Sequence, residues 1–597
     1  MMGKQNIKSK SSFKLKSVLE NHTLFIGMAY SFFIFLIIYL FSYPCWESAD
    51  DFLISGILSG VTGESSPYVL VISYPLSYIL YLLQMWFPQL NWLTMVEIFS
   101  VWISFSLFIW IFLNKKNVVS YGIAFMMPLV FETLFYTSLN YTRSACLLGF
   151  AGLFTLYYCS FEKQSKLGAC IGGTLLVLAS LIRFGGAFLA IPYVGIWVVK
   201  CVRKHIREKQ FKKKENITFV LLVLGFSLII LGLNCWHKYE YNKFSLKNNY
   251  TEFNSVRAKA YDYLPQDYLS YQMQFEEIGF SYNDYDMLRR SMIYDNFYNE
   301  DLYTNIAQIN ASENNTFGQK CKAVRSRITS WLIYHNSGRQ AAQNNLWILL
   351  LCSICLAVFC VSGKSIFSLL CTTVGTAIIA VYFIWTGRFP AWIQDSLYFI
   401  ACINVLYDID WKAAWLNKVH FRPNVQVARK IAMYIMCVCT VLSGMAFSLN
   451  KLLSQGKCSP DIDLCGALSY MEQDDSNIYL IDNFIDCPFP IMDAYGSMRG
   501  MKRGSWNNIM RVGTWFIAHP VMNNQLEKLS MTSPISEMMR DNIYLFTNIN
   551  SENLYRYQTF IYEHNNLVVY PELVKQWGEY AIYSFKVVDD IENNILG

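Results

Sequence analysis

The 597-residue chain has few charged side chains, 15% of its residues, where a soluble domain has about 25%. Hydrophobic residues make up 54% and gather into long uncharged runs, such as the one from Leu24 to Phe41. An α-helix needs about 20 apolar residues to span a bilayer. No small-residue cleavage site follows the first run, because the sequence continues Tyr43-Pro44-Cys45-Trp46-Glu47. The composition excludes a soluble protein, and we expect the first helix to remain as an anchor.

Several motifs of soluble enzymes and pumps are also missing. The sequence has no GxxxxGK[ST] phosphate loop and no GxGxxG turn after a strand, so ATP-driven transport is not expected. The GxSxG elbow of serine hydrolases is absent. The 17 cysteines lie mostly in apolar segments, and no CxxC pair with metal spacing occurs in a polar region. These absences favour a membrane protein whose substrate is neither a nucleotide nor an ester cleaved by a serine.

The basic residues gather in three blocks, which predict the orientation of the chain. The blocks are Lys4–Lys16, Lys200–Lys214 and Lys412–Lys430, each beside an apolar segment. Such blocks mark cytoplasmic loops more often than nucleic-acid sites, so no nucleic-acid partner is expected. The candidate spans are 24–43, 91–113, 119–138, 142–160, 167–182, 185–200, 217–235, 345–362, 366–386, 391–408 and 431–449.

The apolar stretch 67–88 decides the number of spans. If it crossed the membrane, Lys115-Lys116 and Lys163 with Lys166 would fall outside the cell. If it lies along the outer surface as a juxtamembrane helix, every basic block falls inside. The charges therefore predict about 11 transmembrane helices in the cell membrane, with the N-terminus cytoplasmic and the C-terminus extracytoplasmic.

This topology divides the chain into three parts. Residues 1–23 form a cytoplasmic basic tail, and 24–449 form the transmembrane domain, with a first outer loop at 44–90 and a large outer loop at 237–344. Residues 450–597 form an extracytoplasmic C-terminal domain. Its strand-like runs Asn477–Ile481 and Asn542–Phe546, with helix-like stretches between them, predict a small α/β unit. The expected fold class is thus a polytopic α-helical membrane protein with a small outer α/β domain.

Two adjacent carboxylates, Asp50 and Asp51, follow the first span. At the outer membrane surface, a carboxylate could accept the proton of an acceptor hydroxyl, or hold a divalent cation, while a sugar leaves a polyprenyl phosphate. Alternatively, one of the two caps a short helix that begins at Phe52. Glu97 and Glu132 lie within predicted spans, must face the protein interior or water, and are weaker candidates.

Isolated arginines near the outer ends of the spans are a second group of candidates. Arg143, Arg183 and Arg388 lie on the side of the membrane that basic residues usually avoid. A cation there is costly unless it is paired, and the guanidinium group matches the oxygens of a phosphate. Snorkelling to the interface or a salt bridge to a loop carboxylate are the alternatives. Arg257 lies in the large outer loop, where an arginine is more often solvated or paired with an acidic side chain.

The layout resembles the GT-C class of membrane glycosyltransferases, which includes protein O-mannosyltransferases, aminoarabinose transferases and oligosaccharyltransferase catalytic subunits. The shared features are Asp50-Asp51 after the first span, the proline-led run Ser73-Tyr74-Pro75-Leu76-Ser77-Tyr78-Ile79-Leu80-Tyr81, Arg183 at the outer turn of two closely spaced spans, and the C-terminal outer domain. The chain is also similar to a branch of multi-spanning proteins from Gram-positive bacteria.

Two positions depart from the pattern of the class. Ser73 and Tyr74 stand where aminoarabinose transferases often have a lysine. Tyr74 is a candidate for substrate or phosphate contact. Asn140-Tyr141-Thr142-Arg143 stands where an acidic motif is expected. The resemblance implies no certain cofactor, and whether a divalent cation (Mg²⁺ or Mn²⁺) is used stays open.

The resemblance implies an enzyme of cell-envelope polysaccharide biosynthesis. It would transfer a sugar from a polyprenyl-phosphate or polyprenyl-pyrophosphate donor to an extracytoplasmic glycan, lipid or protein acceptor. Asp50 and Asp51 would be catalytic, and the donor would be held by Arg143, Arg183, Arg388, Tyr74 and Arg257. Two alternatives remain. An O-antigen-type polymerase would use outer-loop arginines such as Arg257, and a flippase or transporter for a lipid-linked oligosaccharide would place polar residues through the middle of several spans.

Overall fold

The structure, a computed structural model, describes residues 22–588 except 43, 45, 209–213, 263–267, 313–320, most of 322–365, 387–388, most of 410–461, 483–497 and 514–515. The expected span 345–362 lies mostly outside the described residues, whereas 12 of the 19 residues of 431–449 are described, all of them helical. The helices up to residue 408 are α1 (Thr23–Phe41), α2 (Ala49–Ser59), α3 (Tyr74–Trp86), α4 (Trp92–Asn114), α5 (Val118–Met127), α6 (Thr133–Thr137), α7 (Tyr141–Phe161), α8 (Lys166–Ile182), α9 (Phe184–Ala187), α10 (Ile191–Arg207), α11 (Lys214–Asn248), α12 (Tyr250–Tyr261), α13 (Gln272–Glu277), α14 (Tyr282–Arg289), α15 (Glu300–Ser312), α16 (Ile366–Trp385) and α17 (Ala391–Asp408).

Seven helical segments in the described part of the chain are long and apolar enough to cross a membrane. They are Thr23–Phe41, Trp92–Asn114, Val118–Thr137, Tyr141–Phe161, Phe184–Arg207, Glu215–Asn248 and Ile366–Trp385. Two further expected spans are also helices, namely α8 with 17 residues and α17 with 18 residues. The prediction of a polytopic helical membrane protein is confirmed, whereas the number of 11 spans stays a prediction.

Helix α3 forms within the stretch 67–88 and does not cross the bundle. Its 13 residues span about 20 Å at a rise of 1.5 Å per residue, against about 30 Å for the hydrocarbon core. The C-terminal domain contacts both ends of the stretch. His519 Nε2 lies 2.8 Å from the carbonyl oxygen of Tyr68 before the helix, and Gly500 N donates to Gln89 O, 3.0 Å away, after it. The C-terminal domain can contact the chain both before and after α3 because this helix lies along one side of the bundle.

The basic loops meet at one end of the bundle. Lys115 Nζ donates to Tyr407 O over 2.6 Å, and Lys200 Nζ lies 2.5 Å from Asp408 Oδ2. The hydroxyl of Tyr407 donates to Glu162 Oε1 over 2.5 Å. Four loops that the charge pattern assigns to the cytoplasm therefore share one end, which agrees with placing 67–88 at the other.

Helix α7 is at the centre of the bundle and packs closely on α8. A Cβ atom on Gly172 would come within 2.6 Å of Leu156 N, and one on Gly152 would come within 2.8 Å of Gly172 O. Small residues allow two helix backbones to approach in this way. The close crossing fixes the end of α8 relative to the start of α7. It therefore also fixes the position of Arg183, the residue that follows α8.

The C-terminal part contains one mixed sheet with helices packed on it. Its elements are α18 (Ile462–Gln473), β1 (Ile478–Ile481), β2 (Ile509–Arg511), α19 (Pro520–Lys528), β3 (Ile543–Asn548), α20 (Asn553–Asn565), β4 (Val569–Trp577) and β5 (Tyr580–Val587). The strand order is β2-β1-β3-β5-β4, with β1 parallel to β2 and β3 and the β3–β5 and β5–β4 pairs antiparallel. β1 is fully buried, as expected of a central parallel strand. The predicted α/β unit and both predicted strands are confirmed.

This domain docks on the first loop through backbone hydrogen bonds. Helix α2 ends at Gly60, whose φ of 73° is left-handed, and Gly60 O accepts from Gly504 N over 2.9 Å. Trp506 N donates to Val61 O over 2.8 Å. The contact requires the first loop and the C-terminal domain to lie on the same side of the membrane.

Candidate active site at the end of the bundle

The first loop folds into α2 soon after α1, which places Asp50 and Asp51 in the first turn of α2. Ser48 precedes the helix with extended backbone, as a capping residue does. Carboxylates in the first turn are favoured by the helix dipole. The helix begins at Ala49 and not at Phe52, so neither aspartate is its cap.

Asp51 is fully buried and joins α2 to the start of α7. Its Oδ2 accepts from Ser48 Oγ over 2.8 Å and from Asn140 Nδ2 over 3.3 Å. Its Oδ1 accepts from Tyr141 N, the first residue of α7, over 3.1 Å. Asn140 is the side-chain cap of α7. Asp51 therefore satisfies a free N–H group of a neighbouring helix, which is a structural task.

The carboxyl group of Glu97, from α4, lies within hydrogen-bonding reach of Asp51, and both residues are fully buried. Burial raises the pKa of Asp51 to about 7, although hydrogen bonds from Glu97, Ser48 and Tyr141 favour its charged form. A carboxyl group that is fully buried is poorly placed to meet an acceptor.

Asp50 has a different environment, although it is the next residue. It is partly exposed, and its charge acts on Tyr141 of α7 and on Arg511 at the end of β2. Burial lowers the pKa of Arg511 to about 10, and the charge of Asp50 opposes this effect. Of the two aspartates, Asp50 is the one that a substrate can reach.

Arg143 is buried in a network of acids near the same end. Its Nη2 lies 2.5 Å from Glu47 Oε2 and 2.6 Å from Asp395 Oδ2, and Nη1 donates to the carbonyl oxygen of Ser138. Two carboxylates around one buried guanidinium already balance its charge. The arginine joins the first loop, α7 and α17, and it would have to leave these acids to bind a phosphate.

Arg183 lies between α8 and α9 and is partly exposed. Its Nη1 donates to Val71 O over 3.4 Å, and its guanidinium lies 5.9 Å from the ring centre of Tyr141. Among the residues that the structure describes, no carboxylate lies within ion-pair distance of Arg183. It is thus a cation with unused capacity, and its charge acts on Tyr141, as does the charge of Asp50.

A pocket of about 280 Å³ opens beside Arg183. Polar groups from three segments line it, namely Ser73, Ser180, Asn234 and His237 together with Arg183. The remaining wall is apolar and includes Leu181, Ile230 and Leu233. One cation, several hydrogen-bonding groups and an apolar wall are the features that an amphipathic anion with a hydrocarbon tail requires.

The other predicted residues lie elsewhere or outside the described part. Tyr74 begins α3, where its N–H donates to His237 Nδ1 over 3.0 Å and its ring stacks on Tyr78, so it stands beside the pocket. Arg257 is buried and lies 3.4 Å from Asp262 Oδ1, and none of its described contacts connects it to the acidic pair. Arg388 lies outside the described residues.

The donor groups around the acidic pair do not fit a three-ligand metal site. The oxygens of Asp51 already accept from Ser48, Asn140 and Tyr141. Within the described ranges, histidine, cysteine and carboxylate ligand atoms converge in threes only at Asp284, Glu563 and His564, within 4.8 Å of one another, between α14 and α20. There His564 Nε2 is 2.9 Å from Asp284 Oδ1, as in an ordinary ion pair. We therefore derive no step through a metal at Asp50.

Sequence reasoning missed two contributors to this site. In the sequence, Asn140 stands out only because it replaces an expected acidic motif. Its role as the cap of α7 becomes evident once the helix is seen to begin at Tyr141. Arg511 lies in a strand of the C-terminal part, and no local pattern connects it to residue 50. The effect of the Asp50 charge on Arg511 arises from the docking of the whole domain.

Together, the bundle and this site define a polytopic membrane protein with acids and cations gathered at one end. No family model and no curated protein matches the sequence. ArnT from Cupriavidus metallidurans bound to undecaprenyl phosphate is similar in structure, with 9% identity, a TM-score of 0.40 and coverage of 94% of this chain and 97% of that chain. The Archaeoglobus fulgidus oligosaccharyltransferase in complex with Zn and sulfate has 9% identity, a TM-score of 0.38 and coverage of 94% and 73%.

Proposed function

We propose that this chain is a GT-C-type glycosyltransferase that moves a sugar from a polyprenyl-phosphate or polyprenyl-pyrophosphate donor to an extracytoplasmic glycan, lipid or protein acceptor. One observation carries the proposal. A partly exposed carboxylate, Asp50, and a cation with unused capacity, Arg183, act on the same side chain, Tyr141, at one end of a membrane bundle. A base and an anion site near one side chain suit the transfer of a group from a phosphate to a hydroxyl.

The step follows from this arrangement. Asp50 accepts the proton of the acceptor hydroxyl, and the acceptor oxygen forms a bond to the anomeric carbon of the donor sugar. The bond between that carbon and the phosphate oxygen breaks at the same time, so the configuration at the carbon inverts. The polyprenyl phosphate leaves with the electron pair, and Arg183 stabilises the negative charge that it gains.

The pocket beside Arg183 supports a lipid donor. Its polar groups, Ser73, Ser180 and His237, surround the cation, and its apolar wall continues along α11. A phosphate at Arg183 would leave its polyprenyl chain against that wall. Arg143 is held by Glu47 and Asp395, so we assign it to the framework that fixes the start of α7.

The test is turnover of a panel of polyprenyl-phosphate sugars by the purified protein, with the cleaved lipid and the transferred sugar measured separately. Arg183→Gln should lower kcat/KM for the active donor at least about tenfold, because a hydrogen bond between charged groups contributes about 1.5–3 kcal/mol. The matched control is Arg203→Gln, an exposed arginine on α10 beyond Lys200. Unchanged kinetics in Arg183→Gln would contradict the phosphate site.

The same assay separates the alternatives. A flippase would move the lipid-linked sugar across the membrane without cleaving it, whereas the proposed enzyme produces free polyprenyl phosphate. A polymerase that depends on Arg257 would lose activity in Arg257→Gln even with a short acceptor, although this arginine is already paired with Asp262. Repeating the turnover in EDTA tests whether Mg²⁺ or Mn²⁺ takes part.

A further inference from the structure

His237 of α11 forms part of the wall of the pocket beside Arg183. Its Nδ1 accepts a hydrogen bond from the backbone N–H of Tyr74 over 3.0 Å. A neutral imidazole has one acceptor nitrogen and one donor nitrogen, whereas an imidazolium has two donors. Because a backbone N–H can only donate, Nδ1 is the acceptor and the ring proton is on Nε2. His237 is therefore a neutral side chain whose donor lies at the edge of the ring away from Tyr74.

The first loop holds Arg183 and His237 at one short segment. Arg183 Nη1 donates to Val71 O over 3.4 Å, and Tyr74, the partner of His237, follows three residues later. Tyr74 is the first residue of α3, and the first N–H groups of a helix have no partner within it, so the imidazole satisfies one of them. No hydrogen bond in the described part of the chain uses Nε2 of His237, so this donor is available to a ligand of the pocket.

The neutral state of His237 fixes the charge of the pocket. Among the described residues that line it, Arg183 is the only one with a charged side chain, and the other polar groups are the neutral Ser73, Ser180, Asn234 and His237. A sugar joined to a polyprenol through one phosphate has one negative charge, whereas a diphosphate link has two. A charge removed from water is costly unless an opposite charge accompanies it. The single guanidinium of the pocket balances one phosphate.

We infer that His237 is a specificity-determining residue: its Nε2–H donates to the phosphate held by Arg183, and its neutral ring makes the pocket select donors linked through one phosphate over donors linked through a diphosphate. This inference rests on the proposed function, which includes both donor classes. If His237 served only to cap the start of α3, its loss would disturb α3 and weaken the binding of both classes equally.

The experiment measures binding, so it does not depend on which sugar is transferred. The probes are farnesyl methyl phosphate, with one negative charge, and farnesyl methyl diphosphate, with two, each titrated calorimetrically into the full-length protein in detergent. Wild type should bind the monophosphate at least about tenfold more tightly than the diphosphate. His237→Phe keeps a ring but loses the donor, so it should weaken monophosphate binding about tenfold. His237→Gln, which keeps a neutral donor, should restore most of this loss.

His237→Lys is the sharper test, because it adds a second positive charge to the pocket. It should raise the affinity for the diphosphate relative to the monophosphate at least about tenfold. The matched control is Tyr239→Lys, which adds the same charge at an exposed position of α11 that does not line the pocket. This control should leave the ratio of the two affinities at the wild-type value.

The outcomes are distinct. Equal affinity of wild type for the two probes, or an unchanged ratio in His237→Lys, would overturn the selection. An equal loss for both probes in His237→Phe, with no recovery in His237→Gln, would reduce His237 to a cap of α3 and would likewise overturn its role. If both probes bind as expected but wild type cleaves no polyprenyl-phosphate sugar, the proposed transferase is contradicted, whereas the assignment of the phosphate pocket stands.

Discussion

At the scale of single residues, Asp50 and Asp51 differ because of what surrounds them. Asp51 is enclosed by Ser48, Asn140 and Tyr141, all of which donate to its carboxyl group. Asp50 is partly exposed. The sequence predicts that the pair is important, because two acids follow the first span, but it does not distinguish the two. The distinction comes from α7, whose start lies against Asp51 and which is about 90 residues away along the chain.

The raised pKa of Asp51 predicts how stability depends on pH. Burial raises this pKa to about 7, while an unfolded aspartate titrates near 4. Between these values the native state keeps a proton that the unfolded state has lost, so the free energy of unfolding falls as pH rises from about 4 to about 7. Asp51→Asn should flatten this part of the curve, which thermal unfolding in detergent measures. The exposed Asp301→Asn is the control, and equal slopes in wild type and Asp51→Asn would contradict the assignment.

At the scale of elements, the lengths of the apolar runs predicted the helix boundaries well. The sequence did not predict which charged residues form ion pairs. The runs at 24–43, 91–113 and 142–160 became α1, α4 and α7 with shifts of one or two residues. The pairing of Arg143 with Glu47 and Asp395 joins three elements that are distant in sequence. Periodicity reports which face of a helix is apolar, but not which helices become neighbours.

The crossing of α7 and α8 gives a prediction at this scale. Gly172→Leu places a side chain against the backbone of Leu156 and Gly152, with the first added carbon 2.6 Å from Leu156 N. Overpacking of this kind costs about 1–3 kcal/mol, so the unfolding temperature in detergent should fall. Gly225→Leu on α11 is the matched control, because no atom lies within 4 Å of an added Cβ there. An unchanged unfolding temperature in Gly172→Leu would show that the helices do not cross so closely.

At the scale of the whole molecule, the site is assembled where two distant parts of the chain meet. The first loop supplies Asp50, and the C-terminal domain is fixed to that loop at Gly60 and Val61. An exposed salt bridge between Lys528 and Glu64, 2.8 Å long, lies at the same interface. Composition and charge predicted the membrane bundle and the outer α/β domain. The docking could not be predicted, because it depends on surface complementarity and leaves no periodic pattern in the sequence.

The central claim is that Asp50 is the base and Asp51 belongs to the framework. The most direct measurement compares the turnover of the active polyprenyl-phosphate sugar by wild type, Asp50→Asn and Asp51→Asn at a temperature where all three are folded. General base catalysis contributes about 10²–10⁴-fold, so Asp50→Asn should lose at least about a hundredfold in kcat. Asp51→Asn should stay within about tenfold of wild type, because the carboxyl group of Asp51 is fully buried and holds the start of α7. Full turnover in Asp50→Asn, or a greater loss in Asp51→Asn than in Asp50→Asn, would contradict this account.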